Sequence, residues 1–93
     1  MIVTIDTGGT KTLVSSFGMN GRMGASIKFP TPTDPDEYVR QLKETVHTQF
    51  SHKEVDVIVL AIPGVINNGI VKWCGNLPWH NINFGKRLAD LIP

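Results

Sequence analysis

Short apolar runs separated by turn residues open the chain. The first run, residues 2–5, is β-branched, which is typical of a buried strand. Two further runs follow at residues 12–17 and 23–29, and the Asn20-Gly21 pair between them is a hairpin signal. This spacing predicts an antiparallel meander of three strands.

A helical period replaces the strand pattern after residue 30. Asp34 is placed to cap the helix N-terminus, Pro35 takes the first helical position, and Glu37 completes a capping box. Four apolar side chains then fall on one helical face: Val39, Leu42, Val46 and Phe50. Residues 51–54 are expected to connect this helix to the next strand.

The strongest strand signal lies at residues 55–62, where the nearly continuous apolar character predicts a central parallel strand covered on both faces. Residues 65–73 read as a small hairpin and residues 76–79 as a loop. A second helix is expected over residues 84–92, with Asn83 as its N-cap. The order of strand, helix and strand indicates an α/β fold.

Composition narrows the function classes. The chain of 93 residues has room for one domain, and its 41% apolar and 18% charged residues suit a globular protein. A net charge of +1 without a basic run argues against nucleic-acid binding. Cys74 is the only cysteine, so no internal disulfide forms, and neither a signal peptide nor an apolar stretch of about 20 residues is present. We therefore expect a cytoplasmic protein without a membrane partner.

The turn after the first strand carries the most informative chemistry. Asp6 precedes two glycines, Gly8 and Gly9, which allow the backbone to turn its N–H groups toward the oxygens of a phosphate. Thr10 can add a hydroxyl group and Lys11 a positive charge. The glycine spacing matches neither a Walker A loop nor a dinucleotide fingerprint. An ordinary tight hairpin turn is the alternative interpretation of the spacing alone.

Two later segments are weaker candidates. Gly64 follows the strongest strand, at the end where ligands bind in open α/β sheets, although a strand-terminating Pro-Gly turn is the favoured explanation of this segment by itself. The loop that follows contains Trp73, Asn76 and Trp79. Its indole rings suit stacking on a sugar ring and the Asn76 amide suits hydroxyl groups, but tryptophans in such loops more often pack onto the core.

The ordered set of these segments resembles the ROK family, a branch of the actin-like, sugar-kinase and chaperone ATPase superfamily. Residues 6–11, Asp-Thr-Gly-Gly-Thr-Lys, resemble its first phosphate motif. Residues 62–65 and 69–71 resemble its Pro-Gly turn and hairpin. Residues 76–79, Asn-Leu-Pro-Trp, resemble its Asn-Leu-Pro-Gly-Trp stretch without the glycine. The resemblance, which points to the glucokinase-like members, spans essentially the whole chain.

This resemblance implies a fold and a reaction. The fold is a ribonuclease H-like lobe with sheet order three-two-one-four and a further strand beyond. ATP and Mg²⁺ bind between two lobes, and a sugar hydroxyl attacks the terminal phosphate. By resemblance, Asp6 would hold Mg²⁺ through water. The phosphates would be lined by Gly8, Gly9, Thr10 and Lys11, and the sugar would be approached by Gly64 and Asn76.

The resemblance also indicates what residues 1–93 lack. The catalytic aspartate, the zinc cluster and the adenosine-binding lobe of the family lie beyond Pro93. We therefore expect a truncated N-terminal subdomain that has no catalytic residue of its own and cannot phosphorylate a sugar alone. Its strongest strand would become an open sheet edge, which favours a homo-oligomer. The sugar itself is not identified by these residues.

Three alternatives belong to other classes. ROK relatives include transcriptional regulators that bind sugar without phosphorylating it, but they usually carry a helix-turn-helix ahead of the lobe, and Met1 here leads directly into the first strand. A chaperone-like or cell-structural ATPase fits residues 76–79 less well. A small binding module without chemistry is the simplest alternative.

Overall fold

The computed structural model describes residues 1–50 and 54–93, and a mixed four-stranded sheet forms its centre. The strand order is β3-β2-β1-β4, with β1, β2 and β3 antiparallel and β4 parallel to β1. The strands are β1 (Ile2–Thr7), β2 (Lys11–Phe17), β3 (Met23–Pro30) and β4 (Val57–Ala61). The predicted meander, the parallel fourth strand and the sheet order implied by the resemblance are confirmed.

Helix α1 (Pro35–Gln49) covers one face of this sheet. Its predicted apolar face is confirmed, because all four side chains of that face are buried. They pack against β-branched side chains that alternate along the central strands, such as Val3, Ile5 and Val14, each at most 1% exposed. The apolar side chains of α1 and those of the central strands therefore form one hydrophobic core.

The start of α1 is capped differently from the prediction. The Asp34 carboxylate accepts a hydrogen bond from the backbone N–H of Asp36 at 3.4 Å, as expected of an N-cap. The prediction of a capping box is wrong, however, because the Glu37 carboxylate accepts a hydrogen bond from the guanidinium of Arg40, one turn along the helix. A charged partner at i+3 offers a stronger hydrogen bond than the backbone N–H of the cap.

A second, three-stranded sheet follows β4 in the order β5-β6-β7. The predicted hairpin is confirmed, and Asn68 and Gly69 at its turn have φ angles of 52° and 78°. The Asn83 side chain accepts from the N–H of Lys86 at 2.9 Å, which confirms the second N-cap. The elements are β5 (Gly64–Asn67), β6 (Ile70–Cys74), β7 (Ile82–Asn83), α2 (Phe84–Leu88) and a 3₁₀ turn (Ala89–Leu91).

Strand β4 departs from its prediction as a strand covered on both faces. Its inner face, with Ile58 and Leu60, looks toward α2. Its outer face is open, because Val57 and Val59 are 44% and 51% exposed. Within the described part of the chain both helices pack on the inner face of the sheet, so nothing covers the outer face of β4. β4 is also an edge strand, with one neighbour, β1.

No helix of residues 1–50 and 54–93 is long and apolar enough to cross a membrane. The predicted connection at residues 51–53 lies outside the described residues.

Candidate functional site

The glycine turn between β1 and β2 uses one of its backbone amides to close itself. The N–H of Gly8 donates to the carbonyl of Lys11 at 2.8 Å. A β-carbon at Gly8 would lie 2.9 Å from that same oxygen, which is too close, so the turn requires glycine here. The Gly8 amide is therefore occupied within the turn.

The next two amides are available to a ligand. Neither Gly9 nor Thr10 donates its backbone N–H to an acceptor within residues 1–50 and 54–93. Gly9 is half-buried and Thr10 is exposed, so both residues reach the surface. Unpaired successive amides of this kind form an anion-binding concavity.

A threonine that the sequence analysis missed fastens this turn to the sheet. Thr31 donates its backbone N–H to the carbonyl of Thr10 at 2.9 Å and its hydroxyl to the carbonyl of Gly8 at 2.9 Å. Its hydroxyl also shares a hydrogen bond of 2.7 Å with that of Thr12. The only signal in the sequence is a threonine between two prolines, Pro30 and Pro32, directly after β3.

The end of β1 that leads into the glycine turn is held in place by helix α1. The hydroxyl of Thr7 and the phenol of Tyr38 share a hydrogen bond of 2.5 Å in the buried core. Burial raises the pKa of Tyr38 well above its ordinary value, more than the hydrogen bond with Thr7 lowers it, so the phenol stays neutral. The strand that carries Asp6 is thus held in place by α1.

A cavity of about 240 Å³ opens beside the turn. Asp6 lies at its edge, with an exposed carboxylate that forms no ion pair with another described residue. The lining residues are Asp6, Gly8, Lys11, Thr12, Leu13 and Lys28. Three of the predicted phosphate-site residues, Asp6, Gly8 and Lys11, therefore share one cavity.

The loop after β6 reaches the glycine turn. A β-carbon built on Gly9 would lie 3.0 Å from Cβ and 3.3 Å from Nδ2 of Asn76, so the asparagine side chain rests directly on the glycine backbone. These two predicted site residues are 67 positions apart in the sequence. The fold therefore joins the predicted phosphate turn to the predicted sugar-side loop.

An aromatic cluster holds this loop against α1. The ring of Trp79, which is fully buried, lies 4.6 Å from Tyr38 and 5.1 Å from Phe84, centroid to centroid. Its indole N–H donates to the carbonyl of Thr33 at 2.8 Å. The packing interpretation is confirmed for Trp79.

The same interpretation is wrong for Trp73, which is 53% exposed. Trp73 lies opposite Val65 in the β5–β6 hairpin, and Val65 is 56% exposed. The described residues do not cover this face of the hairpin, so the ring has no core to pack on.

Gly64 has a structural reason to be glycine. A β-carbon there would lie 2.0 Å from the carbonyl oxygen of Trp73, on the neighbouring strand β6. Gly64 does not line the cavity beside Asp6. It does lie near the loop of Asn76, because the carbonyl of Pro63 accepts from the N–H of Gly75 at 3.1 Å.

Cys74, the residue before Gly75, is buried, and burial raises the pKa of its thiol. A raised thiol pKa keeps the sulfur protonated near neutral pH, in the weakly nucleophilic form. Its Sγ lies 3.7 Å from the carbonyl oxygen of Pro63, to which it donates. Cys74 therefore helps to join the Pro63-Gly64 turn to the loop that begins at Gly75.

Comparison with known proteins gives the fold its context. The chain matches no family model and no curated protein. It is similar to a solved ROK family glucokinase from Streptomyces griseus in complex with glucose and AMPPNP, with 19% identity, a TM-score of 0.79, and coverage of 96% of this chain and 29% of that one. It is similar to a ROK family protein from Streptococcus pneumoniae TIGR4 in complex with sucrose, with 23% identity, a TM-score of 0.82, and coverage of 99% and 32%.

A third solved structure is the inorganic polyphosphate/ATP-glucomannokinase from Arthrobacter sp. strain KM, with 22% identity, a TM-score of 0.77, and coverage of 97% of this chain and 40% of that one. The chain thus spans about a third of the length of the solved structures that it matches. These likenesses establish architecture rather than activity: the chain has the fold of a part of the solved ROK family sugar kinases, built on a mixed four-stranded sheet.

Proposed function

We propose that the chain is the N-terminal part of an ATP-dependent sugar kinase of the ROK family, which transfers the terminal phosphate of ATP to a sugar hydroxyl. The observation that carries this proposal is the contact between Gly9 and Asn76. Phosphoryl transfer needs a donor site and an acceptor site that adjoin each other. The contact joins the two segments to which the resemblance gives those roles.

The donor site consists of backbone amides and one cation. The free N–H groups of Gly9 and Thr10 suit phosphate oxygens, and the exposed ammonium group of Lys11 adds positive charge at the same turn. Gly8 contributes by shaping the turn, since its own amide is occupied. Thr31 keeps these groups in position through its hydrogen bonds to Thr10 and Gly8.

Asp6 fits a magnesium ion held through water. The described residues contain no group of three or more His, Cys, Asp or Glu side chains that could hold a metal by themselves. Mg²⁺ commonly keeps several waters and is bound by one or two carboxylates together with substrate phosphates. A single exposed carboxylate beside the cavity matches that arrangement. The ion would neutralise charge on the transferring phosphate.

The acceptor site would take a hexose or an amino sugar. Asn76 offers amide groups to sugar hydroxyls, and Gly64 lies close to its loop. The exposed ring of Trp73 is an apolar surface of the kind that stacks on a sugar ring. The glucose bound by the Streptomyces griseus protein belongs to this class of acceptor.

We propose further that residues 1–93 alone do not catalyse the phosphorylation of a sugar. Within them the resemblance places no general base to take the proton of the sugar hydroxyl. A sugar-responsive regulator is the alternative function, and it would bind a hexose without the nucleotide.

Calorimetric titration of the chain with Mg-ATP and, separately, with several hexoses distinguishes these functions. We expect Mg-ATP to bind, Lys11→Met to weaken that binding, and the matched change Lys72→Met on the β5–β6 hairpin to leave it unchanged. A coupled kinase assay should stay at the no-protein blank. Hexose binding without any nucleotide binding would favour the regulator and refute the kinase.

A further inference from the structure

The strand registers place three charged residues at one end of an open sheet face. Asp6 pairs with Leu13 across β1 and β2, and Leu13 pairs with Lys28 across β2 and β3. Residues paired in this way point to the same side of the sheet. Lys11 precedes Leu13 by two positions, so it shares that side. This side, which we call the open face, is the one opposite α1.

The charges on the open face are not scattered. The registers place only uncharged residues along the rest of it, and at the far end Phe17 pairs with both Ile2 and Met23. Within strands β1 to β4, the charged residues of the open face are thus confined to the end beside the glycine turn.

Lys28 also lines the cavity of about 240 Å³ together with Asp6 and Lys11. Neither lysine makes an ion pair with a carboxylate in the described part of the chain. The cavity wall therefore carries two ammonium groups and one carboxylate, a net positive charge. Neighbouring strands are about 5 Å apart, so Lys28 extends the positive surface by one strand beyond Lys11.

We propose that Lys28 is a second cation for the phosphoryl donor, acting with Lys11 on the outer phosphates of a polyphosphate chain. This inference rests on the proposed function and adds to it a preference. The site would select donors by the number of linked phosphates, because each additional phosphate brings more negative charge to the two ammonium groups. Tripolyphosphate should therefore compete with ATP, while AMP should bind weakly.

The test compares the chain with its Lys28→Met and Lys72→Met variants. Lys72 lies on β6 and does not line the cavity, so its variant removes the same charge elsewhere. Calorimetry would measure Kd for Mg-ATP, Mg-tripolyphosphate and AMP. Since Lys28 is exposed, we expect Lys28→Met to raise Kd for the first two ligands by about 2- to 5-fold and to change that of AMP little. Lys72→Met should leave all three unchanged.

The outcomes separate the two proposals. Wild-type binding that Lys28→Met and Lys72→Met alter equally would overturn the role of Lys28 and leave the proposed function intact. Wild-type binding that is indifferent to phosphate number would also overturn it. Absence of Mg-ATP binding to the wild-type chain would overturn the proposed function, and the role of Lys28 with it. Unfolding curves of both variants would check that they remain folded.

Discussion

The side chain of Asn76 rests on the backbone of Gly9, with Cβ of Asn76 3.0 Å from the position that a β-carbon on Gly9 would occupy. Glycine at this position therefore lets the two loops meet. The contact is maintained from both sides, because Thr31 holds the glycine turn and Trp79 anchors the asparagine loop. Changes at either anchor should reach the site.

Gly9→Ala tests the contact itself. The added methyl group must displace Asn76 or the turn, so we expect Mg-ATP binding to weaken roughly 5- to 30-fold, equivalent to about 1–2 kcal/mol. Gly75→Ala is the matched control, because a β-carbon there meets its neighbours only at 3.7 Å and beyond. The double variant Gly9→Ala/Asn76→Gly removes the crowding and should recover part of the loss. If Gly9→Ala and Gly75→Ala changed the calorimetric Kd for Mg-ATP equally, the result would argue against the contact.

Thr31→Val tests the fastening of the turn. Valine keeps the shape but leaves the carbonyl of Gly8 and the hydroxyl of Thr12 without that partner. We expect the free energy of unfolding in urea to fall by about 1–3 kcal/mol. Thr48→Val is the control, since that hydroxyl binds a helix carbonyl at an exposed position and its loss should cost less than about 0.5 kcal/mol. A cost no greater than that of the control would show that the hydroxyl of Thr31 does not stabilise the turn.

The two tryptophans should differ in how much they contribute to stability. Trp79→Phe removes part of a fully buried ring and its hydrogen bond to Thr33, and we expect it to cost about 2–4 kcal/mol of unfolding free energy. Trp73→Phe, at a half-exposed position, should change stability by less than about 0.5 kcal/mol. Urea unfolding checks both values, and a reversed order would contradict the packing described here.

Tyr38 should make stability fall in alkali. Its pKa in the folded chain lies above that of an unfolded tyrosine, about 10, because burial disfavours the charged phenolate. Its contribution is therefore fully present below pH about 10 and is lost as the pH rises above that value, with a limiting slope of about 1.4 kcal/mol per pH unit. Tyr38 is the only tyrosine, so Tyr38→Phe isolates its effect from those of Cys74 and the lysines. Identical pH profiles of unfolding for wild type and variant would refute this assignment.

The open edge of β4 should promote self-association. Its outer face exposes Val57 and Val59, and among the described strands only β1 pairs with it. We expect sedimentation velocity to show concentration-dependent association that Val59→Lys reduces. Val65→Lys, at an equally exposed valine of the hairpin, should reduce it less. A wild-type chain that stays monomeric at the highest soluble concentration would contradict the prediction.

Periodicity was sufficient to predict the framework. The spacing of Val39, Leu42 and Val46 identified the buried face of α1, and the β-branched runs identified the strands. The order of the sheet came from the resemblance, and the structure confirms it. Local rules also placed the caps at Asp34 and Asn83, because each cap depends on neighbours within three residues.

The features that could not be predicted from the sequence depend on contacts between segments that are far apart in the chain. The roles of Thr31 and Lys28 follow from strand pairing, which brings them next to residues about 15 to 23 positions away. Trp73 is exposed because no other described segment packs on its face of the β5–β6 hairpin, and its own sequence neighbours do not reveal this. The hydrogen bond made by the Gly8 amide follows from the geometry of the turn. A Gly-Gly pair allows several turn geometries, so the sequence does not specify this one.

The most direct test of the proposed function follows the backbone amides of Gly9 and Thr10 by NMR while Mg-ATP is added to the isotope-labelled chain. We expect saturable shifts at these two amides and at Lys11, and none at Gly69, which lies at the turn of the β5–β6 hairpin and does not line the cavity. Amides of Gly9 and Thr10 that move no more than that of Gly69 at millimolar nucleotide would contradict a phosphate site at this turn.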